Sequence, residues 1–171
     1  MQYTISPCGF VKGGELMDEI KNIIASCGAG GFGILPFENL APYMSAGQAE
    51  TVRKLIENPS FVICALFPYF CKGEGNISRY ARGRDYHLEL RERMGAACEK
   101  LCGMHPGFEF IPLADTSPLP EVMCAYLSGA GILGENSLII DREFGSYVFI
   151  GTILTNAPLS CPAPAVPQRC V

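Results

Sequence analysis

The longest apolar run in the chain, residues 61–70, sets the first limit on what it can fold into. A helix needs about 20 consecutive apolar residues to cross a bilayer, and this run is roughly half that. It therefore points to the interior of a globular body, with no membrane as partner. Its first seven residues are β-rich and follow the turn signal Asn58-Pro59, so they read as a strand.

The segments around this strand alternate in period. Residues 15–27 place Leu16, Ile20, Ile23, Ile24 and Cys27 at helical spacing, with Gly28 where helices commonly stop. Residues 31–37 read as a short strand and 48–57 as a helix. Residues 84–102 are again helical, with Leu88, Leu90, Met94, Ala97 and Leu101 as the expected buried face and Gly103 as the stop. Residues 108–113 read as a strand. Ser117 and Pro118 suit the N-cap and first position of a helix over 119–128. Residues 137–140 and 146–154 read as two strands of a hairpin around a turn at 141–145. The order predicts an α+β domain of layered α/β form, a mixed sheet covered by helices.

At 171 residues the chain suits one domain with a real core. After Asn156 the composition shifts, with Pro158, Pro162, Pro164 and Pro167 crowded together. Prolines so close allow neither a helix nor a central strand, so the domain is placed at 1–156 and a linker at 157–171. The first ten residues show no secretory or transit pattern. A cytoplasmic location and reduced thiols are therefore expected for the nine cysteines. A formal charge of −4 argues against this chain gripping a polyanion unaided.

Several motifs carry competing readings. Gly28, Gly30 and Gly33 match a dinucleotide-binding spacing but follow a helix and precede a strand, the reverse of the turn that cradles a pyrophosphate. They read as a structural turn. Cys98, Cys102 and His105 could face one another, yet they lack a fourth ligand, and buried thiols on a helix face are commoner than a metal site. The segment Ser78-Arg79-Tyr80-Ala81-Arg82-Gly83-Arg84-Asp85-Tyr86-His87 is either a solvated helix start or a polar clamp for a large ligand. Asp115, in Asp115-Thr116-Ser117-Pro118, is either a helix cap or a proton donor beside the glycine-rich loop 129–138. The run Glu143-Phe144-Gly145-Ser146-Tyr147-Val148-Phe149-Ile150-Gly151 reads by itself as an ordinary hairpin.

Taken in order, R-Y-A-R-G-x-D-Y-H, D-T-x-P, A-G-x-x-G-x-x-S/T-L and E-x-G-S-Y/W-x-F-x-G resemble the epoxyqueuosine reductase family from about Phe61 onward. The region before Phe61 is shorter than in that family, and Val122 stands where an arginine often follows the glutamate matched by Glu121.

The resemblance implies a nitroreductase-like domain similar to the cobalamin domains of reductive dehalogenases. It would hold cobalamin with its lower base detached. Ser78, Arg79, Tyr80, Asp85, Tyr86 and His87 would line the corrin, with Ser78 near the cobalt face. Gly131, Gly134, Asn136, Ser137 and Ser146 would complete the cofactor site, and Asp115 would be the proton donor. A following ferredoxin-like region with two 4Fe-4S clusters would pass electrons from an external donor to cobalt. Cys170 falls where the first ligand of C-x-x-C-x-x-C-x-x-x-C-P is expected, so the chain is expected to be cut inside that motif. The substrate implied is epoxyqueuosine in a tRNA anticodon. The oligomeric state is not encoded in any motif. Two other functions stay open: a corrinoid-binding module without turnover of its own, and a flavin-dependent reductase of the nitroreductase type.

Overall fold

The computed structural model describes residues 3–6, 9–70, 72, 76, 78–114 and 117–159, with side chains from residue 15 onward. Strands β1 (Tyr3–Ser6) and β2 (Gly9–Lys12) form an antiparallel pair that the hydrophobic pattern does not announce. Next come α1 (Gly13–Ser26), β3 (Gly31–Pro36), a 3-10 segment (Phe37–Tyr43), α2 (Ala46–Leu55) and β4 (Phe61–Pro68). A short 3-10 turn (Arg79–Ala81) leads into α3 (Tyr86–Met104), β5 (Phe110–Leu113) and α4 (Glu121–Leu127). β6 (Ile132–Leu133), β7 (Ile139–Ile140) and β8 (Val148–Thr155) complete the described chain.

The main sheet has the order β3-β4-β8-β5. All three of its pairings are antiparallel, so the sheet is antiparallel where the element order suggested a mixed one. The α+β class stands. The apolar run becomes the central strand β4, buried on both faces. Ile63, Ala65 and Phe67 point into a core built with α1 and α3, and Val62, Cys64 and Leu66 into one built with α2, α4 and the longer 3-10 segment. A strand buried on both faces has no use for alternation, which is why the run is continuous.

Local sequence accounts for the helix limits. Ser45 and Gln48 form a reciprocal capping box at the start of α2. The Asp85 carboxylate accepts the His87 N–H at 3.0 Å and starts α3. Leu90, Met94, Ala97, Cys98 and Leu101 form the buried face of α3, whereas Leu88 is 49% exposed. Two residues on from Leu88 the helix has turned by roughly 200°, so Leu88 and Leu90 face opposite ways. Gly103 does not stop the helix, which runs one residue further to Met104. α4 begins at Glu121 behind Pro120, not at Leu119. Leu119 precedes a proline and is pushed out of the helical region, and the Ser117 hydroxyl instead accepts the Leu119 N–H in a turn.

The expected hairpin of residues 137–140 with 146–154 does not form. β7 pairs with β6, and β8 goes to the middle of the sheet, where β4 and β5 occupy both of its edges. Asp141 closes the turn between β7 and β8. Its carboxylate accepts the N–H groups of Glu143 (2.8 Å) and Phe144 (2.9 Å), and its backbone exchanges bonds with Gly145, whose φ is 61°. Beyond β8, Ala157 and Leu159 are buried, so the packed body runs three residues past the composition change at Asn156. The rest of the expected linker, from residue 160, lies outside the described residues.

Gly33 sits where a Cβ would come within 2.5 Å of the Ser128 carbonyl oxygen, whereas Gly95, inside α3, has open space around it. We expect Gly33→Ala to cost about 1–3 kcal/mol through overpacking against backbone. Gly95→Ala should gain about 0.5–1 kcal/mol through helix propensity. Urea denaturation of the two variants measures both signs, and a neutral Gly33→Ala would contradict the packing of β3 on α4.

The described cysteines, 27, 64, 98, 102 and 124, are free thiols. Burial pushes the Cys64 and Cys98 thiols well up, and burial followed by the neighbouring Glu121 charge pushes Cys124 up to about 12. A thiol reagent at pH 8 should therefore label half-buried Cys27 and Cys102 in the folded protein and reach the other three only through unfolding. Site-resolved mass spectrometry checks this. Labelling of Cys64 as fast as Cys27 would break the two-sided burial of β4.

Candidate functional site

β4 and β5 both run antiparallel to β8, so their C-terminal ends arrive at the same end of the sheet as the start of β8. The start of α3 lies over that end. Two hollows flank it. The first, of about 210 Å³, is lined chiefly by Phe67, Tyr69, Phe70, Tyr80, Tyr86 and Phe149, with Arg84, Glu89 and Arg93 as its polar groups. The second, of about 200 Å³, is lined by His87, Arg91 and Met94 of α3 and by Pro112, Leu113, Ala114 and Ser117 at the exit of β5.

A column of rings links the two hollows. Tyr69 stacks on Phe149 at 4.2 Å, Phe149 on Tyr86 at 4.6 Å, and Tyr86 meets the His87 ring at 3.8 Å. The Tyr69 hydroxyl donates to the Ser146 carbonyl at 3.5 Å. Burial, then the nearby Tyr147, raises the Tyr69 pKa above that of an ordinary phenol. Arg84 forms two 3.2 Å contacts with Glu92, Arg93 pairs with Glu89, and the Arg93 guanidinium lies 5.8 Å from the Phe67 ring centre.

The residues singled out in the sequence divide into three groups. Arg79 and Tyr80 belong to the 3-10 turn, with Ser78 in its cap position, Tyr80 lines the first hollow, and Asp85 caps α3. Tyr86 lines the first hollow and His87 the second, while Ser146 lies just before β8. The structure brings these residues to one end of the sheet.

Gly131, Gly134, Asn136 and Ser137 belong instead to the β6–β7 hairpin, which packs on the α4 side through Ile139. A Cβ on Gly131 would fall 2.4 Å from Ile139. Gly134 N–H bonds to the Leu138 carbonyl, and the Asn136 side chain accepts the Leu138 N–H. In this structure the close approach that those glycines permit is to their own hairpin. Asp115 and Cys170 lie outside the described residues.

The two constellations read as structural make contacts within the protein. Gly28, with φ 90°, ends α1, and Gly30 and Gly33 pack against Phe144 and Ser128. His105 is buried and bonds Glu19 across to α1 at 2.9 Å. Among the described residues no group of three His, Cys, Asp or Glu is placed to hold a metal.

Sequence reasoning left out Tyr69, Phe70, Arg91 and Arg93. The first two were read only as the end of an apolar run. Arg91 carried a usable signal, since it lies four residues after His87 on a helix and so on the same face.

The family model described as Epoxyqueuosine reductase QueG, DUF1730, matches residues 50–116. The epoxyqueuosine reductase of Gloeobacter violaceus is 31% identical over 144 residues, covering 74% of this chain and 45% of that protein. The chain thus spans less than half the length of this curated relative. An epoxyqueuosine reductase crystallised with an epoxyqueuosine-modified tRNA-Tyr stem loop superposes with a TM-score of 0.75 at 19% identity, over 93% of this chain and 49% of that one. A reductive dehalogenase structure bearing on B12-dependent dehalogenation superposes with a TM-score of 0.64 at 12% identity, over 88% and 21%. These two likenesses share the fold. No helix among the described residues is long and apolar enough to cross a membrane. With its ordered motifs, its family-model match over residues 50–116 and a relative aligned over 74% of the chain, this chain resembles the epoxyqueuosine reductase family.

Proposed function

We propose that this chain is the cobalamin-binding part of an iron-sulfur oxidoreductase that reduces epoxyqueuosine to queuosine in tRNA. The observation that carries the reading is the convergence at one end of the sheet of the Ser78–His87 segment, the exit of β5 and the start of β8. These are three stretches that the sequence had picked out separately. The fold shared with a reductive dehalogenase supports the cofactor, and the fold shared with a tRNA-bound reductase supports the substrate.

The residues present suit a corrin. Such a ligand is a broad, weakly polar ring fringed by amides, and it needs an apolar face with hydrogen-bonding groups around it. Phe149, Tyr86 and the His87 ring supply the face. Arg84, Glu89, Arg91 and Ser117 supply groups for the fringe. Each hollow is smaller than the roughly 300 Å³ at which pockets begin to enclose drug-sized ligands, so neither encloses a corrin alone. When bound, cobalamin supplies low-potential electron chemistry at cobalt. The clusters that would feed it, with Cys170 as a first ligand, and the external electron donor belong to the intact protein.

The chain's own tasks are to orient the ring, exclude water and deliver a proton. Asp115 is the residue assigned to the proton. α4 begins at Glu121 with Pro120 in its cap position. Ala114 and Ser117, on either side of Asp115-Thr116, both line the second hollow with His87. A carboxylic acid gives up a proton usefully near neutral pH only where its surroundings hold that proton on.

Two measurements test this reading. The protein mixed with cobalamin should give the absorption spectrum of the base-off form, and an unchanged free-cobalamin spectrum over folded protein would rule the cofactor out. In the intact, cluster-loaded enzyme, Asp115→Asn should keep that spectrum and lower turnover by about 100- to 10,000-fold, the usual contribution of a general acid. Turnover close to that of the parent under excess reductant would remove Asp115 from the chemistry.

A further inference from the structure

Cys27, Cys98 and Cys102 lie along the seam between α1 and α3, and none of them lines either hollow. Two contacts fix how these helices lie. Glu19 of α1 bonds His105, just past the end of α3, at 2.9 Å. A Cβ on Gly28, just past the end of α1, would fall 2.6 Å from Nη1 of Arg93, in the first half of α3. The helices therefore run antiparallel, and the last turn of α1 comes to the middle of α3. Cys98 is buried in the core cluster of this seam, with Cys27 and Cys102 packed half-buried against it. Burial first, then the charges of Cys102 and Cys27, pushes the Cys98 thiol well up, so all three sulfurs are near neighbours.

The two neighbours of Cys98 are not equivalent. Cys102 follows it by four residues on one helix, where Cβ atoms stand about 5–6 Å apart, and a disulfide needs about 3.5–4.5 Å. A regular helix does not close that gap. Cys27 is the first residue past α1 and leads into the turn of Gly28, whose φ is 90°, and Gly30. Its backbone can shift without unwinding a helix.

We propose that Cys27 and Cys98 are a reversible redox pair that closes to a disulfide under peroxide. Half-buried Cys27 meets the oxidant first. Its sulfur attacks the peroxide, the O–O bond breaks, water or an alcohol leaves, and Cys27 becomes a sulfenic acid. The Cys98 sulfur then attacks that of Cys27 and the S–O bond breaks. The departing hydroxide takes the Cys98 proton and leaves as water. The two thiols give up two electrons in total, and the peroxide gains them. Burial keeps Cys98 protonated until Cys27 is oxidised beside it, which fixes the order of the steps. Exchange with a cellular thiol reopens the bond, as is usual for disulfides in reducing compartments. Closing it ties the end of α1 to α3, whose first turn carries Tyr86 and His87. The pair stands whatever ligand the hollows take.

The test treats the full chain with hydrogen peroxide at pH 8, blocks the remaining thiols with an alkylating reagent and maps the peptides without reduction. The expected product joins the Cys27 and Cys98 peptides, two hydrogens lighter than their sum, and a thiol reductant restores both thiols. Cys102 should still take the alkyl label. Cys98→Ser should carry Cys27 on to the sulfinic acid, which the reductant does not restore, whereas Cys102→Ser should leave the crosslink as it was. The parent protein decides the matter even where Cys98→Ser fails to fold. Cys27 over-oxidised there, a bond from Cys27 to Cys102, or Cys27 and Cys98 both left as thiols would each overturn the proposal. So would a Cys27–Cys98 bond that forms only in urea or only between two chains.

Discussion

Everything in this molecule depends on burying β4 on both faces. Its six central residues, Val62 to Phe67, are almost wholly removed from water. At about 1.5–3 kcal/mol for each large apolar side chain, this strand alone provides a substantial part of the driving force for folding. A strand covered on both sides needs a helical layer on each, which fixes α1 and α3 on one face and α2 and α4 on the other. The same coverage leaves no room for a ligand at the middle of the sheet. Function is driven to the ends of the strands, where side chains leave the layers and the backbone turns.

Glycine shows how one physical property serves two readings. A residue without Cβ permits close approach, and the loop 129–138 was therefore read as a surface for amides of a ligand. At Gly131 the neighbour is Ile139 of the same hairpin, and elsewhere in the sheet Ser128 packs against Gly33 and Met94 with Phe67 against Gly151. In a thin, double-covered sheet the layers themselves need such contacts. Spacing in the sequence carries the permission to approach but not the identity of what approaches.

The parts of the fold that were legible were those set by local periodicity. α1, α3 and β4 follow from apolar spacing over a dozen residues or more, or from an unbroken run. Strand partnership was not legible. β8 reads as half of a hairpin with its neighbour in sequence, and only the competition of β4 and β5 for its two edges sends it to the centre. The tight loop closed by Asp141 enforces this, through a carboxylate that looks like any surface acid in the sequence. Within the site, the Ser78–His87 segment was legible because aromatics, cations and a helix cap are crowded into ten residues. Tyr69 and Phe70 were hidden, since an apolar run gives no sign of where it stops being core.

The shape of the site rests on its rings more than on its charges. The Arg84–Glu92 pair is about two-thirds exposed on both partners, and pairs of that kind contribute about 0–1 kcal/mol before salt screening. Each stacked or edge contact in the column from Tyr69 through Phe149 to Tyr86 is worth about 0.5–1.5 kcal/mol beyond the area it buries. Salt does not screen these contacts. Phe149 sits inside β8, paired with Phe67 of the central strand β4, so the column is anchored on the buried sheet. Tyr86 belongs to the first turn of α3, held by the Asp85 cap. The rings thus transmit the position of the buried sheet to the start of α3.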